Sequence, residues 1–327
     1  MKLQFPFIQL PLSFDAEALA AEVAAVDESC WRPHPNALPG NSMLPLVAVD
    51  GDPANESFTG RMQPTPHLKA CPYLMQVMGS LSATIGRSRL MRLAGQAEVT
   101  RHVDQGYYWA ERVRVHVPVV TQPSVRFECG EAAVHMAPGE CWIFDTWRQH
   151  RVVNQTDAFR IHLVVDTVGS GDFWSLVTRG RPHSAAPGPG WRPDRVDPSA
   201  GAGVELECEA YNVPLVITPW ELNTHFGLLF GDALPAPQLP LLRQHVQRFL
   251  REWRGLWARY ADSGEGLAHY RAALQAFVEA TSGPGGEVQL ANGPTWSSGM
   301  LTLVAMVAVR SAAETAPATE YPVADRA

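Results

Sequence analysis

Polar and apolar residues alternate most cleanly from Arg112 to Val120. Val113, Val115, Val117 and Val119 fall on one side of a strand. Arg112, Arg114, His116 and Pro118 fall on the other, because successive strand side chains point to opposite faces. Two readings of this strand stay open. Either the valines pack in a core while the basic residues meet water, or Arg114 and His116 line a polar barrel lumen. The last strand of the series behaves alike: Arg160, His162, Val164 and Asp166 oppose Phe159, Ile161, Leu163 and Val165. Further short runs bounded by turn formers are read as strands at 89–93, 99–104, 125–129, 133–136, 141–144 and 150–153. About eight such strands predict a mainly β fold, a double-sheet jelly roll or related barrel.

Helical spacing flanks this region. Leu19, Val23 and Val26 make the apolar stripe of a helix over 13–26, with Ser13 or Asp15 as cap. Pro72 suits the first turn of a helix running to about Gly86, with Leu74, Val77, Met78, Leu81 and Ile85 on its buried face. Residues 1–12 read as an edge strand. Residues 30–66, rich in Pro, Gly and Asn, read as irregular structure with one strand at most near 43–49. The expected division is a β domain over 1–170, a Pro/Gly-rich linker over 171–203, and a helical C-terminal domain over 204–327. In the last, 241–260, 267–281 and 298–310 are predicted helices. They would close one end of the barrel or form a homodimer surface. The tail from about Thr315 is expected to be disordered.

Composition narrows the class. The 327 residues are 46% hydrophobic and 18% charged, which is ordinary for a globular protein. A net charge of −7 argues against broad nucleic-acid binding. No apolar run is long enough for a membrane span or a signal peptide. The five cysteines are dispersed with no C-x-x-C pair, so reduced thiols in a cytoplasmic setting are expected. No nucleophile elbow, Walker loop or dinucleotide fingerprint occurs.

The chemistry gathers around His102, Asp104 and His150. On an extended strand His102 and Asp104 would project side by side. With His150 they make two imidazoles and one carboxylate, the facial set that leaves three positions open on a non-haem Fe(II). Ten residues after His150 stands Arg160, across the turn formers Asn154-Gln155-Thr156-Asp157. A hairpin centred near Gln155 would set Arg160 opposite His150, where a guanidinium could hold the far carboxylate of 2-oxoglutarate. Asp145 and Gln149 are candidates to orient the ligating imidazoles, with a turn role equally open for Asp145.

Taken in order, Gly86-Arg87-Ser88-Arg89, His102-x-Asp104, Arg112-Val113-Arg114-Val115-His116, the run His135 to Asp145 containing Pro138-Gly139-Glu140-Cys141-Trp142, then His150 and Arg160 resemble the aspartyl/asparaginyl β-hydroxylase family. The layout is most similar to its bacterial L-proline 3-hydroxylase branch. The resemblance covers roughly 70–168. It implies a double-stranded β-helix, cupin-like, that holds Fe(II) by His102, Asp104 and His150 and uses 2-oxoglutarate and O2. It implies that Arg160 and His116 hold the cosubstrate, that Arg114 meets a substrate carboxylate, and that Arg87 or Arg89 contributes there. Asp104 sets the chain apart from the animal members, which lack that carboxylate, and weakens any transfer of their substrate. A free amino acid, a carrier-bound amino acid, a peptide side chain and a lipid acyl chain are all compatible with a cationic pocket. Two rivals stand beside this reading: a cupin-type metal enzyme that does not use 2-oxoglutarate, and a non-catalytic small-molecule binding protein.

Overall fold

The computed structural model describes residues 1–35, 39–199 and 203–310; the tail from Thr315 lies outside them. The alternating strand Val113–Val120 sits inside a ten-stranded sheet, between Glu140–Phe144 and Arg160–Gly169. Phe7–Phe14 extends the sheet beyond Glu140–Phe144, and Thr84–Leu93 and then Asn41–Val49 extend it beyond Arg160–Gly169. A second sheet holds four strands in the order Glu98–His102, His150–Val153, Arg126–Cys129 and Ala132–Val134. Phe7, Leu93, Trp142 and Phe144 of the large sheet pack with Phe127, Cys129 and Val152 of the small one. This is a double-sheet jelly roll with helical flanks.

The outer face of the large sheet is also covered. Val113, Val115, Val117 and Val119 share a core with Leu19 and Val23 of helix Ala16–Ala24, Leu74 and Val77 of helix Pro72–Gly79, and Phe173 of helix Gly171–Thr178. Burying each valine contributes roughly 1.5–3 kcal/mol, which fixes that face against the helices. The opposite face is turned inward. Arg112 and His116 are only 4% and 6% exposed, so the basic residues do not meet water. Arg112 forks onto Glu209 through Nε and Nη2 at 2.7 and 2.9 Å.

Several predicted elements differ. The first helix begins at Ala16, with Asp15 accepting from the Ala18 N–H. The residues 72–86 split: the helix stops at Gly79, Ser82 takes a left-handed φ of 49°, and Thr84 opens a strand. Leu81 and Ile85 are buried as expected, but Ile85 is buried as part of that strand, its N–H bonded to the Glu207 carbonyl. The apolar island at 43–49 is the body of the nine-residue strand Asn41–Val49, which pairs with Thr84–Leu93 in the large sheet. Its Pro45 is tolerated because the register shifts between Pro45 and Val47. Phe7–Phe14 is not an edge: it pairs with Glu140–Phe144 and with two short strands, Arg181–Pro182 and Asp194–Val196, from the Pro/Gly-rich stretch.

The Pro138-Gly139-Glu140 turn is where the sheet is most sensitive to one atom. Gly139 has φ +77°, and a Cβ there would lie 2.3 Å from the Phe14 carbonyl oxygen. That carbonyl belongs to backbone, and Phe14 N–H itself bonds the Gly139 carbonyl at 2.8 Å. Gly139→Ala is therefore expected to cost at least about 1–3 kcal/mol of stability, read as a lowered midpoint in urea unfolding. An unchanged midpoint would mean that this strand–turn contact is slack.

The described chain divides into two compact units, Met1–Val103 with Glu111–Asn212, and Asp104–Ala110 with the residues from Val213 onward. In the second, helices Pro219–Asp232, Leu239–Tyr260 and Leu267–Gly286 pack Phe226, Phe249, Phe277 and Trp296 together, with Phe249 and Phe277 stacked at 4.3 Å. Helix Pro219–Asp232 starts with a reciprocal capping box between Thr218 and Glu221. Among the described residues no helix is long and apolar enough to cross a membrane.

Candidate metal centre and its basic wall

His102 ends the strand Glu98–His102, and His150 opens its antiparallel neighbour. The two stand directly opposite in the register, their rings 4.2 Å apart. Cross-strand partners share a face, so the pairing alone brings both imidazoles together. Asp104 lies just past the strand end rather than on it, and still reaches them. One ligating atom from each of His102, Asp104 and His150 falls within 4.8 Å of the others.

The backbone settles the tautomers. Nδ1 of His102 is 2.7 Å from the Thr100 carbonyl, and Nδ1 of His150 is 2.8 Å from the Arg148 carbonyl. A carbonyl only accepts, so both Nδ1 atoms carry the proton, and Nε2 is the ring atom of each that can ligate a metal. Two imidazole nitrogens and a carboxylate oxygen, with no thiolate, suit Fe(II). Asp145 serves the turn: its carboxylate accepts from the Trp147 N–H at 3.0 Å and from Arg148 Nε at 2.9 Å. Burial raises its pKa, and Arg148 opposes that shift. By shaping 145–148, Asp145 sets the carbonyl that orients His150. Phe144 packs edge-on against His150 at 4.9 Å and against His116 at 5.4 Å, which keeps this interior apolar around its polar atoms.

The hairpin expected between His150 and Arg160 does not form. His150–Val153 pairs with Glu98–His102 and Arg126–Cys129 in the small sheet, whereas Arg160–Gly169 pairs with Thr84–Leu93 and Val113–Val120 in the large one. Residues 154–159 cross between sheets, pinned by Asn154 Nδ2, which donates to the Ala94 and Ala158 carbonyls at 2.9 and 2.8 Å. His150 and Arg160 thus enter the jelly roll from its two different sheets.

The large sheet's register gathers the basic residues on one inner face. Trp142, His116, Val164 and Arg89 form one cross-strand row; Phe144, Arg114 and Asp166 form the next. Arg87 shares the parity of Arg89 on its strand. Arg114 Nε pairs with the Asp166 carboxylate at 3.0 Å. Arg87 donates to the Glu56 carbonyl at 3.1 Å and lies over the Phe58 ring at 3.7 Å. Arg89 Nη1 is 3.6 Å from Met43 Sδ.

Arg160 is different. It is 3% exposed, no carboxylate of the described residues pairs with it, and its Nε has no hydrogen-bond partner among them. Its neighbour is neutral: Nη2 lies 2.8 Å from Nδ1 of His162. Burial alone pushes its pKa down to about 9. Burial, then the charge of Arg160, holds His116 and His162 well below the usual histidine range. Sequence reasoning placed His162 on this face and assigned it no role. The signal available was its two-residue offset from Arg160.

A jelly roll that brings two imidazoles and one carboxylate together offers the donor set that a non-haem Fe(II) takes. Residues 54–169 match the family model described as Aspartyl/Asparaginyl beta-hydroxylase, so the resemblance read from the motifs holds over that segment. Similar solved structures include a Pseudomonas putida prolyl-4-hydroxylase, 15% identical over 50% of this chain and 92% of that one, with a TM-score of 0.35. A 2OG-Fe(II) oxygenase family oxidoreductase from Burkholderia pseudomallei is 16% identical over 51% and 87%, TM-score 0.37. A Trichoplax adhaerens prolyl hydroxylase, in complex with a hypoxia inducible factor peptide fragment, is 14% identical over 53% and 87%, TM-score 0.37. No curated protein sequence matches the chain.

Proposed function

We propose that the enzyme hydroxylates an unactivated C–H bond of an amino acid, a carrier-bound aminoacyl group or a peptide, in a cytoplasmic setting. The observation that carries this reading is the buried, carboxylate-free Arg160 on the inner face of the jelly roll. A guanidinium left without an anion in a water-poor interior is a receptor for one. His102, Asp104 and His150 would hold the iron. Fe(II) with 2-oxoglutarate and O2 supplies the oxidising chemistry. The chain's own residues bind and orient. Thr100 and Arg148 carbonyls fix the ligating rings, Arg160 takes the distal carboxylate of 2-oxoglutarate, and His116 stands beside it. Arg114, stiffened by Asp166, with Arg87 and Arg89, presents cations to a substrate carboxylate. Phe127, Phe144 and Trp142 restrict water at the reacting centre.

The test is an anaerobic titration of the purified protein with Fe(II), then 2-oxoglutarate. A visible metal-to-ligand band should appear on the second addition, and succinate should form in air when amino acids and peptides are supplied. Iron binding without that band would favour the cupin-type rival. Failure to bind iron would remove the metal centre and this function with it.

A further inference from the structure

Arg160 and His162 stand two positions apart on one strand and share its inner face. Nδ1 of His162 is 2.8 Å from Arg160 Nη2 and 3.3 Å from His116 Nδ1. A guanidinium nitrogen donates and never accepts. Nδ1 of His162 is therefore the acceptor, and the ring proton of this neutral histidine is on Nε2. The same lone pair can face His116 only if His116 carries its own proton on Nδ1. Two donors thus converge on one imidazole nitrogen. His162 is 2% exposed, and its Nε2 has no hydrogen-bond partner among the described residues. A buried histidine with one nitrogen orphaned is a costly residue to keep for packing alone, since an apolar side chain would fill the volume without an unmet donor.

We propose that His162 is a positioning residue for the cosubstrate: by accepting from Nη2 it fixes the rotation of the Arg160 guanidinium and so aims its remaining donors at the distal carboxylate of 2-oxoglutarate. This rests on the functional reading above. The geometry has a chemical reason. Among the described residues no carboxylate orients Arg160, and a freely turning guanidinium would meet its anion in several poses. A neutral acceptor can hold it without cancelling its charge, which a carboxylate in that place would do.

Three variants separate this role from packing. His162→Leu removes the acceptor. His162→Asn places an amide oxygen near the position of Nδ1 and keeps it. Arg160→Ala removes the guanidinium. Affinity is read from the metal-to-ligand band of the Fe(II) protein under nitrogen, with 2-oxoglutarate and with 2-oxobutanoate, which lacks the distal carboxylate. His162→Leu should weaken 2-oxoglutarate about tenfold, the loss expected for one hydrogen bond to a charged group. It should leave 2-oxobutanoate unchanged, and His162→Asn should recover most of the loss. Nitrogen-15 NMR of the unliganded wild type should show His162 protonated on Nε2 and bare on Nδ1. Equal weakening of both acids, an unchanged 2-oxoglutarate affinity in a folded His162→Leu, or a proton on Nδ1 would each overturn the proposal. If His162→Leu does not fold, the wild-type tautomer decides it. If Arg160→Ala also binds 2-oxoglutarate as the wild type does, the cosubstrate assignment fails first, and the two failures are told apart.

Discussion

His150→Ala is expected to lose Fe(II) binding and 2-oxoglutarate turnover together. Residues that merely orient a ligand cost about 10–100-fold in metal affinity when removed, so deleting one of the three proposed ligands should cost more than about 100-fold. Among the described residues no further His, Cys, Asp or Glu joins the cluster to replace His150. Its ring is placed by the register against His102 and by its Nδ1 bond to the Arg148 carbonyl, and the replacement leaves one imidazole and one carboxylate. Asp104→Ala should fall as far, since the remaining pair of histidines carries no negative charge to offset the ion. The measurement is an anaerobic iron titration beside the succinate assay, with His135→Ala as control. His135 bonds the Val125 carbonyl through Nδ1 and lies outside the triad, so that variant should keep its iron. Wild-type iron affinity in His150→Ala would sink the metal centre.

The strands that build the jelly roll were legible because their period of two survives burial: the valines of 113–119 meet helices and the residues between them meet the interior. What alternation cannot supply is the identity of the second face. Arg112 and His116 read as well for solvent as for a lumen, and only what packs on them decides: Glu209 on Arg112, and Phe127 of the second sheet on His116. The triad was legible for a partly mistaken reason. His102 and Asp104 were expected to share a strand, yet the strand ends at His102, and Asp104 reaches the site from the following loop. Arg160 was expected from a hairpin, and the turn formers at 154–157 supported one. The same residues instead carry the chain from one sheet to the other, with Asn154 spending its amide on carbonyls of both neighbouring segments. Turn chemistry fixes that the chain bends, not which sheet receives it. The helix predicted over 72–86 forms only to Gly79, for a related reason. Leu81 and Ile85 keep a helical spacing, but the backbone of Ile85 is claimed by a strand partner in the segment around Glu207, more than a hundred residues away.

Arg160→Met should divide function from stability. An unbranched apolar side chain of similar reach can occupy the site of the guanidinium but cannot bind an anion, so the metal-to-ligand band with 2-oxoglutarate should vanish at concentrations that saturate the wild type. The metal-free protein should not be weakened. Arg160 is 3% exposed, with no carboxylate of the described residues beside it and its Nε unmet, so the folded state carries an uncompensated charge. The sign follows from its pKa. Burial lowers it to about 9, still above neutral pH, so the guanidinium is charged in the folded protein at pH 7 and the desolvation cost is present in full. That cost fades only as the pH climbs from about 9 towards the unfolded value, where the folded protein sheds the proton first. Replacing a buried charge with an apolar side chain of similar volume is often neutral or stabilising by about 1–4 kcal/mol, so the melting temperature of metal-free Arg160→Met should match or exceed the wild type's. The order should reverse on loading. With Fe(II) under nitrogen and 2-oxoglutarate at a hundred times its dissociation constant, the wild type should gain about 2.7 kcal/mol by mass action and the variant almost nothing. Arg160→Lys should fall between: it keeps the charge but not the two-nitrogen edge that matches a carboxylate. A metal-free Arg160→Met that melts well below the wild type would show that the guanidinium is held for the fold rather than for the cosubstrate.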